Sequence, residues 1–434
     1  MQFERREICT GVYANILQTD KFKRNFISVN FVLPHKKEYA AVSSLLGDVL
    51  TRATGKFPEL KLIERELDEC YGAQLSAFAS LKGESKIVTV SMESLCNCYA
   101  TDDTDIFERS SSLLYDVIFN PYFIDGCFGT DVVESEKEKL LASVGRRKNS
   151  KSRYALDTLK AKMCAGEPYG VFVHGSEEDI QNIDEHTLTD FYTGMLSEAA
   201  VELFYVGSDD PSRVISLFEG MFGDKPRQSY KPQSYPQPIK AKTSRFFFEE
   251  ADYKQSVLTM GYRVDVSESK RMRYAFSLFN ALFGSGVNSK LFKIVREKMH
   301  LCYYASCSPD LSKGVAFISS GIDASNENIT KDAILEQFAE VAKGNFTDED
   351  VEDCKRSLSN AYKELYDSPD GLCAWYLSHY IYGDFESIES VSENINSVTR
   401  REIMRAAACM ELDTVFVLRG VSKLSCDGEV SSDE

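Results

Sequence analysis

The feature that most constrains the fold of this 434-residue chain is that its second half repeats its first. Val133-Glu134-Ser135-Glu136-Lys137-Glu138-Lys139-Leu140 aligns without a gap on Val351-Glu352-Asp353-Cys354-Lys355-Arg356-Ser357-Leu358. Further on, the stretch from Ile183 through Thr187 to the apolar run Val201–Gly207 parallels the stretch from Ile395 through Thr399 to Asp413–Gly420. Upstream, Arg65-Glu66 before Cys70-Tyr71 is echoed by Arg296-Glu297 before Cys302-Tyr303, each a helix end running into a strand. Three matches in one order imply a duplicated domain of roughly two hundred residues.

A duplication needs a joint, and residues 225–242, KPRQSYKPQSYPQPIKAK, supply it with four of the eleven prolines and few apolar side chains. The expected organisation is therefore a first domain over 1–224, a stiff linker over 225–242, a second domain over 243–425 and an acidic tail over 426–434 that frays. Each half opens on an alternating strand, Phe26–Leu33 and Gln255–Tyr262, followed by a long amphipathic helix and further strands. That pattern predicts an α+β class, with mixed, largely antiparallel sheets covered by helices.

A net charge of -17 argues against nucleic acid as a partner, because phosphate binding depends on clustered Lys and Arg. A basic peptide would be attracted, and solubility alone also accounts for the charge. The first residues, MQFERREICTGVYANIL, carry charges where a signal peptide needs an apolar stretch, and no run of about 18 apolar residues follows. The expectation is a soluble cytoplasmic protein with no membrane association. Its twelve cysteines are scattered without a C-x-x-C pair, as buried thiols in a reducing compartment would be.

The predicted helix from Tyr39 to Thr54 carries Val42, Leu45, Leu46, Val49 and Ala53 as an apolar stripe, with Ser44, Gly47, Asp48 and Thr51 on the other face. Strand, helix, the turn Leu50-Thr51-Arg52-Ala53-Thr54-Gly55-Lys56, and a second helix ending in Glu69-Cys70-Tyr71-Gly72-Ala73 together resemble the opening of the pitrilysin/insulinase superfamily of zinc peptidases, which includes the mitochondrial processing peptidases. In that family the first helix bears H-x-x-E-H. Two histidines one turn apart share a zinc, and the Glu between them deprotonates the metal-bound water. Laid on this chain, the motif falls on Ser44-Leu45-Leu46-Gly47-Asp48, so both histidines and the general base are missing. The family's third ligand, a Glu seven residues beyond another Glu, falls on Ser143 counted from Glu136, or on Gly145 counted from Glu138. The remaining histidines, His35, His174, His186, His300 and His379, are too far apart in sequence for one helix to present two of them.

The second half keeps more of the resemblance. Phe283-Gly284-Ser285-Gly286-Val287-Asn288-Ser289 followed by Arg296-Glu297-Lys298 and Tyr303 is similar to the family's second-domain signature. There Arg296 and Tyr303 stand where the family places a pair that reaches substrate carbonyls, and Gly284, Ser285 and Gly286 form a peptide-handling loop. An Arg fork and a Tyr hydroxyl can orient a peptide. A structural ion pair for Arg296 and strand packing for Tyr303 are the competing reading. The segment Tyr154-Ala155-Leu156 to Glu167-Pro168-Tyr169-Gly170 is similar to that of the non-catalytic member of a bacterial pair whose sister keeps the zinc motif. The resemblance implies a clamshell of two domains and a chain with no catalytic residue, metal or other cofactor. It also implies a zinc-bearing sister peptidase or a second copy as partner, a peptide or protein substrate, and an association with aminopentanol modification of elongation factor P. The residues leave open an active metallopeptidase with an unrecognised site, and a structural subunit like the core proteins of respiratory complexes.

Overall fold

Strands β1 (Glu4–Cys9), β2 (Val12–Gln18), β3 (Arg24–Pro34), β4 (Gln74–Lys82), β5 (Ser85–Leu95) and β8 (Ala200–Gly207) form one sheet in the order β1-β2-β8-β3-β5-β4. A two-residue ribbon, β6 (Phe123–Ile124) and β7 (Cys127–Phe128), stands apart from it. The second sheet orders β9 (Arg245–Ala251), β10 (Ser256–Val264), β11 (Cys302–Asp310), β12 (Val315–Ile322) and β13 (Met410–Gly420) as β11-β12-β10-β13-β9. These elements come from a computed structural model, which describes residues 3–223, 227–232, 241 and 243–421. Most of the 225–242 linker and the whole 426–434 tail lie outside the described residues.

Duplication accounts for the shared topology. In each sheet one parallel pair, β2 with β8 and β9 with β13, sits among antiparallel neighbours. Reading β4-β5-β3-β8-β2 against β11-β12-β10-β13-β9 matches strand for strand, and only β1, antiparallel on the outer edge of β2, has no counterpart. The alternation in β3 sends Ile27, Val29, Phe31 and Leu33 into a core with helix α1 (Lys37–Leu50). It sends Ser28, Asn30 and Val32 to the opposite face. The helix ends at Leu50 rather than Thr54, because Thr54 leaves it to bridge Pro121.

The compact units are not the contiguous stretches of sequence. One comprises residues 1–147, 166–236 and 359–393, the other 148–165, 237–358 and 394–434, so each takes a helix from the other half of the chain. The Lys151–Met163 helix lies on the second sheet through Ala155, Leu159 and Met163, one turn apart along a buried stripe. Gly261 allows this approach, since a Cβ there would lie 2.5 Å from Met163 Sδ. Arg245 and Arg263 both donate to the Met163 carbonyl, at 3.0 and 3.1 Å, and satisfy an otherwise orphaned helix C-terminus. Asp413 fixes the same two guanidinium groups at 2.6 and 3.1 Å. In the other unit the Pro369–Tyr380 helix buries Leu372, Cys373, Tyr376 and Leu377 with Ile87, Phe204 and Val206 of the first sheet. The Phe3 and Tyr376 rings meet edge-on at 4.5 Å. Among the described residues no helix is long and apolar enough to cross a membrane.

Candidate functional site

Ser44, on the third turn of α1, is buried, and its hydroxyl donates to the Ala40 carbonyl at 3.1 Å, a common outlet for a mid-helix serine. Ser44 Oγ also lies 3.0 Å from His174 Nδ1. A side chain from 130 residues further along the chain thus covers the first metal-ligand position of the resemblance.

Residues 171–175 are pinned to do this. His35 Nε2 meets the Val171 carbonyl at 3.2 Å, and Lys86 Nζ donates to the Val173 carbonyl at 2.5 Å and the Ala40 carbonyl at 3.4 Å. Gly175 has φ +70, and a Cβ there would fall 2.6 Å from Ala41 Cβ, so only glycine closes the segment against α1. Lys86 has no surface in water, and burial pushes its ammonium down to about 7. Burial likewise pulls the His35 imidazole down, with the Lys86 charge acting in the same direction and the Val171 carbonyl and Glu84 opposing.

Gly47 rides against the edge strand: a Cβ there would lie 3.2 Å from Phe78 N and 3.3 Å from the Ala77 carbonyl. Asp48 is half-buried, and burial followed by the Glu136 charge pushes its carboxyl up, against Lys139. Glu136, 5 % exposed on the Thr130–Gly145 helix, is held by Arg52 Nε at 2.8 Å and Lys139 Nζ at 2.7 Å. Ser143, two turns further on, is exposed. Among the described residues no three His, Cys, Asp or Glu side chains converge as metal ligands. The residues present therefore do not fit the zinc that the resemblance would place there.

On the opposite face of the same sheet, a groove of about 440 Å³ runs between β4, the outermost strand, and the Pro369–Tyr380 helix. Asn30 and Thr89 form its floor, joined at 2.8 Å, with Phe78 and Leu377 as walls and Glu93 and Asp370 at the rim. Phe78 is 51 % exposed. Sequence reasoning missed both this groove and the His174 cover, because neither leaves a local motif.

In the second unit, the Lys270–Phe283 helix stops at Gly284, where a Cβ would lie 2.4 Å from Cys307 Cβ. The Gly284 carbonyl accepts from Cys307 N at 2.9 Å. Ser285 is exposed, and Gly286 takes φ +82 to turn the chain into Ser289, whose hydroxyl caps the next segment. Leu291–Lys298 winds as a π-helix, a rare form that recurs at functional positions. It projects Arg296, 40 % exposed, over the Phe292 ring at 4.7 Å with Nε 3.3 Å from Glu297. Tyr303, 51 % exposed on β11, donates its hydroxyl to Asp323 at 2.9 Å, and that hydrogen bond holds the phenol above its ordinary range. The two side chains have separate partners.

Over 420 residues, 96 % of this chain and 97 % of its relative, the sequence is 30 % identical to the probable inactive metalloprotease YmfF of Bacillus subtilis strain 168. The chain belongs to the peptidase M16 family. The family description "Peptidase M16 inactive domain" matches residues 182–358. A conserved protein from Enterococcus faecalis V583 has a similar structure, with a TM-score of 0.89 at 27 % identity over 98 % of this chain and 100 % of that one. A peptidase M16 inactive domain from Pseudomonas fluorescens shares the fold, with a TM-score of 0.80 at 18 % identity over 97 % and 99 % of the two chains. With Ser44, Gly47, Asp48 and Ser143 at the metal positions, this M16 member is a non-catalytic, degenerate homologue of the family's metallopeptidases.

Proposed function

We propose that this chain is a non-catalytic subunit that pairs with a zinc-bearing sister peptidase and helps to hold an extended peptide. The observation that carries it is an asymmetry: Ser44 and Gly47 at the metal positions are closed by protein contacts and Ser143 offers no ligand, while peptide-sized surfaces stay open. The groove beside β4 combines apolar walls with a few fixed polar groups, the usual make-up of a ligand site. Beside it, β4 pairs with β5 alone among the described strands, so its other edge can accept a strand. Arg296 and Tyr303 are exposed enough to reach a ligand. Glu93 and Asp370 at the groove rim, in a chain of net charge -17, favour a basic segment. The eleven cysteines among the described residues are all free, which suits the reducing cytoplasm, where we place the protein. Following the resemblance, elongation factor P and the enzymes that modify it are the first clients to test.

Co-expression with an intact H-x-x-E-H sister tests the proposal. A copurifying complex is expected, with peptide cleavage that falls in the Arg296→Ala and Tyr303→Phe variants while their melting temperatures hold. No complex and no change in cleavage would refute pairing. A complex whose peptide binding ignores both substitutions would refute the role of that pair and leave a scaffold.

A further inference from the structure

The two sheets share five strand positions, but only one has its parallel edge covered. In the first sheet, β2 is shielded by antiparallel β1; in the second, the equivalent strand β9 pairs with β13 alone among the described residues. β9 leaves a row of backbone donors and acceptors open beside Phe246 and Phe248, which are 49 % and 51 % exposed with rings 6.5 Å apart. A long edge strand carrying exposed aromatics is a surface that natural proteins cover or blunt, and no charged or proline residue interrupts Phe246-Phe247-Phe248. The position in the fold and the filled counterpart in the first sheet both call for an antiparallel strand.

We propose that this strand comes from a second copy of the chain. Arg245-Phe246-Phe247-Phe248-Glu249 is complementary to its own reverse. Antiparallel pairing centred on Phe247 sets Arg245 opposite Glu249 of the second copy at both ends, Phe246 opposite Phe248 twice, and Phe247 opposite itself. Every cross-strand pair is then aromatic with aromatic or cation with anion, the combinations that stabilise antiparallel ladders. Residues of one parity share a face, so the exposed Phe246 and Phe248 of both copies form one aromatic cluster, while Arg245 and Glu249 meet on the other side. Arg245 and Glu249 side chains are 39 % and 37 % exposed, which leaves room for a further contact beside their existing partners, Asp413 and the Met163 carbonyl for Arg245, and Tyr154 and Lys162 for Glu249. A twofold axis through Phe247 closes the contact, so it yields dimers and not fibres. The inference stands independently of peptide binding and of a zinc-bearing sister.

Sedimentation equilibrium of the full chain tests it. The wild type is expected to dimerise reversibly, and the double substitution Phe246→Lys with Phe248→Lys to weaken dimerisation by about tenfold or more. Unchanged circular dichroism and melting would show that the variant folds. Glu249→Arg, which sets like charges opposite each other at both ends, is expected to weaken the dimer. Glu250→Arg, the same charge change one residue on, lies outside the paired register and is expected not to weaken it. A chain that stays monomeric to roughly 100 µM overturns the proposal. So does a dimer indifferent to the lysines, equal weakening by Glu249→Arg and Glu250→Arg, or a monomer whose β9 amides resist hydrogen exchange because another segment or protein covers them.

Discussion

Replacing Lys86 with Met removes a buried amine and should change how stability depends on pH. The Lys86 ammonium lies among backbone carbonyls with no carboxylate partner among the described residues, and burial holds it near 7 when folded against about 10.4 when unfolded. Between those values the unfolded chain binds one proton more than the folded one, so stability rises with pH across that window. The slope is about 1.4 kcal/mol per pH unit, or about 2–3 kcal/mol between pH 7.5 and 9.5. Below pH 7 the amine is charged in both states and the slope from this group vanishes. Trp375, the only tryptophan, lies in the same compact unit as Lys86, so urea unfolding followed by its fluorescence reports the relevant transition. Subtracting the Lys86→Met curve cancels the other titrating groups and isolates the slope. Equal slopes for the two proteins would refute the argument. They would mean that the Val173 carbonyl, which favours the charged form, outweighs burial.

Other changes probe the same architecture. Gly175→Ala should cost about 2–4 kcal/mol by urea unfolding, since it combines a positive φ with a 2.6 Å clash against Ala41. Restoring Ser44→His, Gly47→Glu and Asp48→His together should not confer stoichiometric zinc by metal analysis, because Ser143 supplies no third ligand and Glu136 is engaged by Arg52 and Lys139. Asp413→Asn should cost about 3 kcal/mol at pH 7, by leaving two guanidinium groups short of a partner. Burial pushes the Asp413 carboxyl up, but Thr414, Arg245 and Arg263 overcome this and hold it below its ordinary value. Its stabilising contribution is therefore present above the unfolded carboxylate range and lost in acid, so the wild-type advantage should shrink below about pH 4.

The duplication was legible because it preserves patterns that folding needs locally. Val133–Leu140 and Val351–Leu358 both fall on long helices, Thr130–Gly145 and Asp348–Glu364, and the two matched apolar runs became β8 and β13 at equivalent sheet positions. The exchange of helices left no such trace. A stripe such as Ala155, Leu159 and Met163 states that a helix must be buried, but not on which of two related sheets. The deciding contacts, Arg245 and Arg263 with the Met163 carbonyl, lie 82 and 100 residues away. The missing metal ligands were legible for the opposite reason: H-x-x-E-H is a one-helix motif, and its absence can be read from five consecutive residues.

The sequence could not reveal how α1 is tied to its neighbours where no metal can be held. In a zinc peptidase of this family, the ion would tie the first helix to the helix supplying the third ligand. Here that tie is made by Arg52 of the turn after α1, which grips buried Glu136 of the Thr130–Gly145 helix at 2.8 Å. Lys139 supplies a second positive charge at 2.7 Å. The two cations balance the charge of Glu136, which lies seven residues before the missing ligand position Ser143. On the other side of α1, His174 and Gly175 close over Ser44 and Ala41. Without Arg52, buried Glu136 would keep only the exposed Lys139 as a cation, and a buried carboxylate short of a partner costs several kcal/mol. Arg52→Ala should therefore destabilise the first unit far more than the exposed Arg65→Ala, whose ion pair with Glu69 is screened by water. Equal losses, measured by Trp375 fluorescence in urea, would show that the Arg52–Glu136 pair contributes no more than an exposed one.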